Sequence, residues 1–397
     1  MCCCCPPAVS ALFCLWAQSG CSKSSVAGAL TFFPPDPPLY QFERRDSDGN
    51  ILPHDDDGVN GKGPDNDMQS NGSNNLSQTE SPDSNDNYDP THRTGETKER
   101  MQSPAQQLVD RAKDLRQQAK LRNARDGKDH KNNVQYRLKL DSRLAVPRYD
   151  PNAVEAIKVP SKNGIHVAAV IYRINAAHDN GDSKDNTDKR KRSTTKTIIY
   201  SHGNATDIGA MFPLQAVLAH SLDCNVVMYD YSGFGESGGM PLEENTYCDI
   251  QAVYDYTLEH VANNDPSSII LYGQSVGGGP CCYLAMKNDS LGGMVLHSAF
   301  TSGMRVLTPS RLLACLDIYP NIDRIKKTKC PVMVIHGRLD EEVEVGHGVS
   351  LHQAVPEHLQ REPWWVSDRG HNDITEGPGK LAEYIRRLRN FLMSLDD

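Results

Sequence analysis

The sequence predicts an α/β domain built on a doubly wound, mostly parallel sheet and preceded by a disordered amino-terminal arm. Three observations carry that reading. From about residue 150, short apolar runs alternate with helical patterns, as buried parallel strands and their crossovers require. Hydrophobic residues are only 38% of the 397, and the mean hydropathy is −0.56, so a long stretch must lie outside any core. Third, the apolar run Ser268–Tyr272 leads directly into Gly273-Gln274-Ser275-Val276-Gly277, followed by Gly278-Gly279 and a helical pattern. No run of 18 apolar residues occurs, which excludes a polytopic membrane protein.

Residues 1–40 read as a cysteine-rich anchor segment. Six of the twelve cysteines fall there: Cys2, Cys3, Cys4, Cys5, Cys14 and Cys21. Four consecutive cysteines cannot all bridge locally, because disulfide geometry is too demanding for adjacent residues. No C-x-x-C pair has a matching second pair or histidines, so neither a metal nor a cofactor is expected. Beside Leu12, Phe13, Leu15 and Trp16, the cluster suits reversible S-palmitoylation of Cys2, Cys3, Cys4, Cys5 and Cys14. One acyl chain binds membranes marginally, whereas two or more give stable attachment. A secretory signal peptide over Ala8–Ala17 is the rival. No basic residue precedes Lys23, however, and the sequon Asn204-Ala205-Thr206 would put a glycan acceptor in the loop assigned below to catalysis. The segment ends in Phe32-Phe33-Pro34-Pro35-Asp36-Pro37-Pro38, which reads as an extended stalk.

Residues 41–102 read as a disordered acidic linker. Over 41–100, 30 of 60 residues are Asp, Asn, Ser or Gly, and 14 acidic against 6 basic groups leave a charge of −8. So little apolar surface cannot offset the ordering entropy. Residues 103–125 read as a basic amphipathic helix. Ser103-Pro104 is a capped start, Leu108, Ala112, Leu115 and Ala119 share one face, and Arg111, Lys113, Arg116, Lys120, Arg122 and Arg125 cover the remainder. Such a helix suits an anionic membrane surface, or it docks on the following domain with its charges solvated; the pattern leaves both open. The net charge of −9 is thus a sum of opposed parts: the acidic linker, a +6 stretch at 101–150, and −7 for 151–397.

Residues 150–397 read as the catalytic domain. Val154–Val159 and Ile165–Ile174 form a hairpin about Lys162-Asn163-Gly164. The insert from His178 to Lys196 contains Lys189-Arg190-Lys191-Arg192, read as solvated loop charge, and no nucleic-acid partner is expected. Strands follow at Thr197–Tyr200, Asn225–Tyr229, Ser268–Tyr272, Met294–Leu296, Val332–Ile335 and Trp364–Val366, with helical patterns over 211–222, 245–261, 278–287 and 377–394.

In such sheets catalytic groups collect at the carboxyl ends of strands. Ser275 occupies the middle of G-x-S-x-G at a strand-to-helix turn, where flanking glycines relieve backbone crowding and the helix aims its amino-terminal dipole at the reacting centre. A second match, Gly235-Glu236-Ser237-Gly238-Gly239, lacks the feeding strand and the following helix, so Ser237 is set aside. A hydroxyl nucleophile needs a base, and the base an orienting acid, in the chain order Ser, acid, His. Asp340 follows the strand ending near Ile335, and His371 follows the strand ending at Val366. His202, His297 and His336 precede Asp340 and read as hydrogen-bonded loop residues. Asp368 and Asp373 lie too close to His371, with Asp373 read as a cap for the last helix; Glu341 and Glu342 are minor alternatives, and Asp230 a loop-stabilising carboxylate. The oxyanion donors expected are the amides of Val276 and Asn204, the latter in Ser201-His202-Gly203-Asn204-Ala205.

Ser201–Ala205, Tyr229-Asp230-Tyr231-Ser232-Gly233, Ile270-Leu271-Tyr272-Gly273-Gln274-Ser275 and Gly370-His371-Asn372-Asp373-Ile374 together resemble the α/β-hydrolase-domain-containing protein 17 family over about 150–397. The start is similar too, a cysteine cluster followed by Phe33-Pro34-Pro35-Asp36-Pro37. The resemblance implies an α/β-hydrolase fold and a serine hydrolase that removes palmitate from cysteines of membrane-associated proteins. It also implies an enzyme held by its own acylated cysteines at the cytoplasmic face of plasma and endosomal membranes, with Ser275, Asp340 and His371 as triad. The acidic segment and the 178–196 insert are longer than in the family, and Arg338-Leu339 replaces the small-plus-acidic pair usual there. Phe300–Tyr319, with Met304, Val306, Leu307, Leu312 and Leu313, would line an acyl groove or pack as core. The alternative readings are a small-ester or lipid esterase with the same triad, and an inactive membrane-tethered interaction protein.

Overall fold

The computed structural model describes residues 32–53, 104–174, 195–307 and 317–396. The candidate acylation sites Cys2, Cys3, Cys4, Cys5 and Cys14, most of the acidic linker and nearly all of the 178–196 insert lie outside the described residues. In chain order the main elements are β1 (Tyr40–Arg45), α1 (Pro104–Lys131), β2 (Gln135–Leu140), β3 (Val154–Pro160), β4 (His166–Tyr172), β5 (Thr197–Ser201), α2 (Ile208–Leu222) and β6 (Asn225–Tyr229). They continue with α3 (Glu243–His260), β7 (Ile269–Gln274), α4 (Gly278–Lys287), β8 (Gly293–His297), the short α5 (Gly303–Leu307) and α6 (Asn321–Arg324), β9 (Val332–Gly337), α7 (Val345–Ala354), β10 (Trp364–Val366) and α8 (Lys380–Met393).

The ten strands of the described residues form one sheet in the order β1-β2-β3-β4-β6-β5-β7-β8-β9-β10. From β6 to β10 the neighbours are parallel, and from β6 to β1 they alternate antiparallel. Successive strand residues face opposite ways, so each strand feeds two cores. Ile199, Leu271 and Leu296 pack with Ile250, Leu284 and Leu351 of α3, α4 and α7. Ile198, Tyr200, Ile270 and Tyr272 pack with Phe212 and Ala216 of α2 and Leu388 and Phe391 of α8. This is the α/β-hydrolase architecture. The chain leaves β5 toward β6 on one side and returns to β7 on the other, so the loops after β5 and β7 part at the switch point where such sheets hold their sites.

Three boundaries differ from those expected. The sheet begins in the stretch read as linker, where Tyr40 and Phe42 are buried and their neighbours Gln41 and Glu43 are not. This period-2 pattern is only six residues long, and the polar composition around it swamps it. The domain therefore starts well before residue 150, with β1 and β2 extending its antiparallel edge. The stretch Phe32–Pro38 is not a free stalk either, because Phe32 is buried edge-on between Phe234 and Tyr319, with ring centroids 6.1 and 6.3 Å away.

Helix α1 runs to Lys131, six residues past the expected end, because its polar face is also packed. Arg125 meets Glu236 at 2.7 Å, Asn123 accepts from the Gly239 amide at 2.8 Å, and Lys158 donates to the buried Asp126 at 2.9 Å. Arg44 is paired with the buried Asp129. Arg111 and Arg122 donate to the Phe32 and Ser237 carbonyls. Docking on the domain thus absorbs half of the cations that would have faced a membrane, while Lys113, Arg116 and Lys120 remain exposed. No helix among the described residues is long and apolar enough to cross a membrane. Helix α7 carries little sequence signal, because Val-Gly-His-Gly-Val-Ser has neither helical propensity nor a clear apolar stripe.

Buried Asp249 on α3 ties down the turn after β6, accepting from the Ser232 amide at 2.7 Å, the Ser232 hydroxyl at 2.9 Å and Ser161 at 3.0 Å. Burial pushes its carboxyl up to about 7 against the pull of those donors. Folding then takes up a proton: the stabilisation is present in full below the unfolded value of about 4 and is lost as pH rises through about 7. Asp249→Asn, which mimics the protonated acid, should flatten the pH dependence of urea unfolding between those limits. At pH 8 the variant should be more stable than the parent.

Candidate active site

The turn after β7 shows why serine needs these neighbours. Ser275 has φ of 50°, in the left-handed region that side chains rarely adopt, so its hydroxyl stands clear of the sheet. A Cβ on Gly273 would lie 2.6 Å from the Gly277 carbonyl oxygen, and one on Gly277 would lie 2.0 Å from the Ser201 carbonyl oxygen. The tight turn therefore admits no larger residue on either side. A short 3₁₀ turn over Ser275–Gly277 then opens into α4.

The loops after β9 and β10 carry the partners. His371 Nε2 lies 3.0 Å from Ser275 Oγ, and its Nδ1 lies 2.7 Å from Asp340 Oδ2. A carboxylate only accepts, so Nδ1 carries the proton, and Nε2 is left with its lone pair toward the serine hydroxyl. Asp340 is itself held from behind, its Oδ1 accepting from the Glu342 and Val343 amides at 3.0 and 2.7 Å. Burial alone would raise its carboxyl, but hydrogen bonds from His336, His371 and the Val343 amide outweigh burial and hold it well below the usual carboxylate range. The three side chains thus form a relay able to take the proton from Ser275 Oγ.

The other candidates are occupied elsewhere. Ser237 is fully buried and accepts from the Ala168 amide at 2.8 Å while donating to the Asp230 carbonyl at 2.7 Å, so its G-x-S-x-G is a loop staple. Asp230 accepts from the Ile208 amide and Tyr40. Glu342 is 4.0 Å from Nε2 of His371, the nitrogen away from Asp340, and is largely exposed. Asp368 pairs with Lys380. Asp373 accepts from the Gly370 amide, within the histidine's own loop, and the last helix is instead preceded by Gly379. His336 Nε2 contacts the Val343 carbonyl at 2.7 Å.

The loop after β5 lies against Ser275: a Cβ on Gly203 would sit 3.8 Å from Ser275 Cβ. Asn204 follows in the same loop, and Val276 begins the turn into α4, so both residues expected to supply amides flank Ser275. Around them opens a cleft of about 540 Å³. Met211 and Leu214 of α2 and Ile374 after the histidine form its apolar wall, and Tyr200, Gln274, His297 and Tyr384 its polar floor. Tyr272 bridges the last two of these, at 2.9 Å to His297 Nδ1 and 2.5 Å to the Tyr384 hydroxyl. Burial pushes His297 down to about 3, with nearby His371 and His336 adding to the effect, so it stays neutral over the physiological range.

Among the described residues of Phe300–Tyr319, none lines this cleft. Phe300 and Tyr319 are buried in the core on the other face, Val306 packs against that core, and residues 308–316 lie outside the described residues. Sequence reasoning missed Met211 and Leu214, whose i, i+3 spacing one turn after the Gly203 loop was the available signal.

A family model described as the alpha/beta hydrolase fold matches residues 196–315. The alpha/beta hydrolase domain-containing protein aho-3 of Caenorhabditis elegans is 43% identical over 197 residues, which take in 49% of this chain and 57% of that protein. Human alpha/beta hydrolase domain-containing protein 17C is 41% identical over 201 residues, 50% of this chain and 59% of its own. The chain thus spans less than two thirds of the length of these relatives. Among solved structures, the Pyrococcus furiosus esterase Pf2001 aligns with a TM-score of 0.46 at 17% identity, covering 63% of this chain and 95% of that one.

The two serines should separate cleanly. Ser237→Ala leaves buried polar groups without a partner, so it should cost about 1–3 kcal/mol of unfolding free energy in urea titrations. Labelling by a fluorophosphonate probe should survive that change. Ser275→Ala should do the reverse, abolishing labelling while the unfolding midpoint holds.

Proposed function

As the chain belongs to the α/β-hydrolase-domain-containing protein 17 family, we propose that it is a serine hydrolase cleaving the thioester of S-palmitoylated cysteines in membrane-associated proteins. The observation that carries this reading is the unbroken relay from Ser275 through His371 to Asp340 at the carboxyl edge of the sheet. Ser275 Oγ attacks the thioester carbonyl as His371 Nε2 takes its proton. Asp340 holds the imidazole in the right tautomer and stabilises the cation that forms. The Asn204 and Val276 amides receive the developing oxyanion. When the tetrahedral intermediate collapses, the carbon–sulfur bond breaks and His371 protonates the departing cysteine thiolate. Water then attacks the acyl-enzyme, giving up its proton to His371, and the fatty acid leaves as Ser275 recovers its own. The chemistry calls on no metal or cofactor.

The choice of a fatty thioester rests on the family and on the apolar wall formed by Met211, Leu214 and Ile374 beside Ser275. The cysteine-rich start supports attachment to the cytoplasmic face of plasma and endosomal membranes through acylated Cys2, Cys3, Cys4, Cys5 and Cys14, close to palmitoylated partner proteins.

Purified chain incubated with a palmitoylated protein should release the free thiol, scored by acyl exchange. Asp340→Asn should slow this by about 10⁴-fold, since the tautomer is lost while the geometry stays. Faster turnover of a glycerolipid or short-chain ester than of the protein thioester would replace this reading with a lipid or small-molecule esterase. Changing Cys2, Cys3, Cys4 and Cys5 together to Ser should move the protein from the membrane pellet to the supernatant. Unchanged pelleting would refute the anchor.

A further inference from the structure

The segment Phe32–Tyr40 does more than lead from the amino terminus to the domain. Its hydrogen bonds fall along the loop that carries Asn204. The Phe33 amide donates to Asn204 Oδ1 at 2.9 Å. The Leu39 amide donates to Asp207 Oδ2 at 2.7 Å, and Asp207 also caps α2 through the Ala210 amide. The Tyr40 hydroxyl donates at 2.5 Å to Asp230, whose other oxygen accepts from the Ile208 amide. Residues 204–208 are therefore gripped at both ends by a segment about 170 residues away in sequence.

The loop needs such a grip. Ala205 sits at φ 54°, a strained conformation for a residue with a side chain. The fit is also close, because a Cβ on Gly209 would lie 2.4 Å from the Leu39 carbonyl oxygen. The segment is in turn clamped from outside. Phe32 fills a buried aromatic slot, Arg111 of α1 donates to the Phe32 carbonyl at 2.9 Å, and the same guanidinium lies 4.4 Å from the centroid of the Phe33 ring. Removing the segment would take one donor from the Asn204 side chain and one from the helix-capping carboxylate.

We propose that Phe32–Tyr40 is a positioning strap for the oxyanion loop, with the Phe33 amide setting the orientation of Asn204 beside Ser275. The inference rests on the serine-hydrolase reading above, in which the Asn204 amide stabilises the transition state. Its consequence is that the catalytic rate depends on how the amino-terminal segment is seated. The strap acts on kcat because a tilted oxyanion donor loses its bond to the transition state while substrate binding in the cleft is untouched.

The test compares Phe33→Pro with Phe33→Leu in the full chain. Both lose the ring over Arg111, but only proline loses the amide donor. With a water-soluble octanoyl thioester as substrate, Phe33→Pro should show kcat about 10-fold below Phe33→Leu, with KM and Tm matching. That is less than the 10²–10³ lost when an oxyanion donor is removed outright. Fluorophosphonate labelling should slow in parallel. Should Phe33→Pro fail to fold, Leu39→Pro against Leu39→Met asks the same question at the far end of the strap. Equal kcat within a pair, in a wild type that labels and turns over, overturns the strap and leaves the hydrolase reading standing. A folded wild type that neither labels nor hydrolyses the thioester overturns both.

Discussion

Two strand ends approach so closely that the rest of the site is arranged around the contact. The turn after β7 presses on the end of β5, where a Cβ on Gly277 would come within 2.0 Å of the Ser201 carbonyl oxygen. That approach places Ser275, with its positive φ, and the Gly203–Asn204 loop side by side. Parallel pairing of β5 with β7, from Thr197 against Ile269 to Ser201 against Gly273, fixes the register that makes the contact possible. A shift of one residue would turn every buried side chain of β7 to the other face. The placement of Ser275 and the core packing are thus the same constraint.

A second layer of order comes from carboxylates held by donors. Asp340 keeps its charge because two amides and two histidines surround it, and the charge in turn selects the tautomer of His371. Asp230, Asp207 and Asp249 perform the structural counterpart at the loops after β5 and β6. Each converts a sharp change of chain direction into a hydrogen-bonded unit, as buried polar groups must be satisfied. Tyr40 and Leu39 reach the first two of these from outside the βα core. The amino-terminal segment is built into the same network that shapes the active-site edge.

Much of this was legible from residues alone. The strand–turn–helix setting of Ser275 separated it from Ser237, because a nucleophile turn demands a buried run before it and a helix after it. The staple role of Ser237, bonded to Ala168 and Asp230, is the physical counterpart of that missing context. The order Ser275, Asp340, His371 and the Gly203–Asn204 loop were equally readable. Other features were not. Strand β1 is six residues beside a long polar tract, so its alternation has no statistical weight until β2 pairs with it. Apolar composition does not say which face of the sheet a residue covers, so it distinguishes neither Phe300 and Tyr319, buried in the core, nor Met211 and Leu214, which line the cleft.

What the amino-acid sequence determined by itself was local and periodic: the alternation of buried strands and crossover helices, the glycines that a tight turn demands, and the chain order of Ser275, Asp340 and His371. These need only neighbouring residues, or a connectivity rule shared by the whole fold. Tertiary structure alone decided which cations of α1 were consumed in docking and which apolar wall faces Ser275. It alone decided that Phe32–Tyr40 closes over a loop some 170 residues away. Such choices depend on contacts between segments far apart in the chain, and the free energy that selects among them exists only once both surfaces are built.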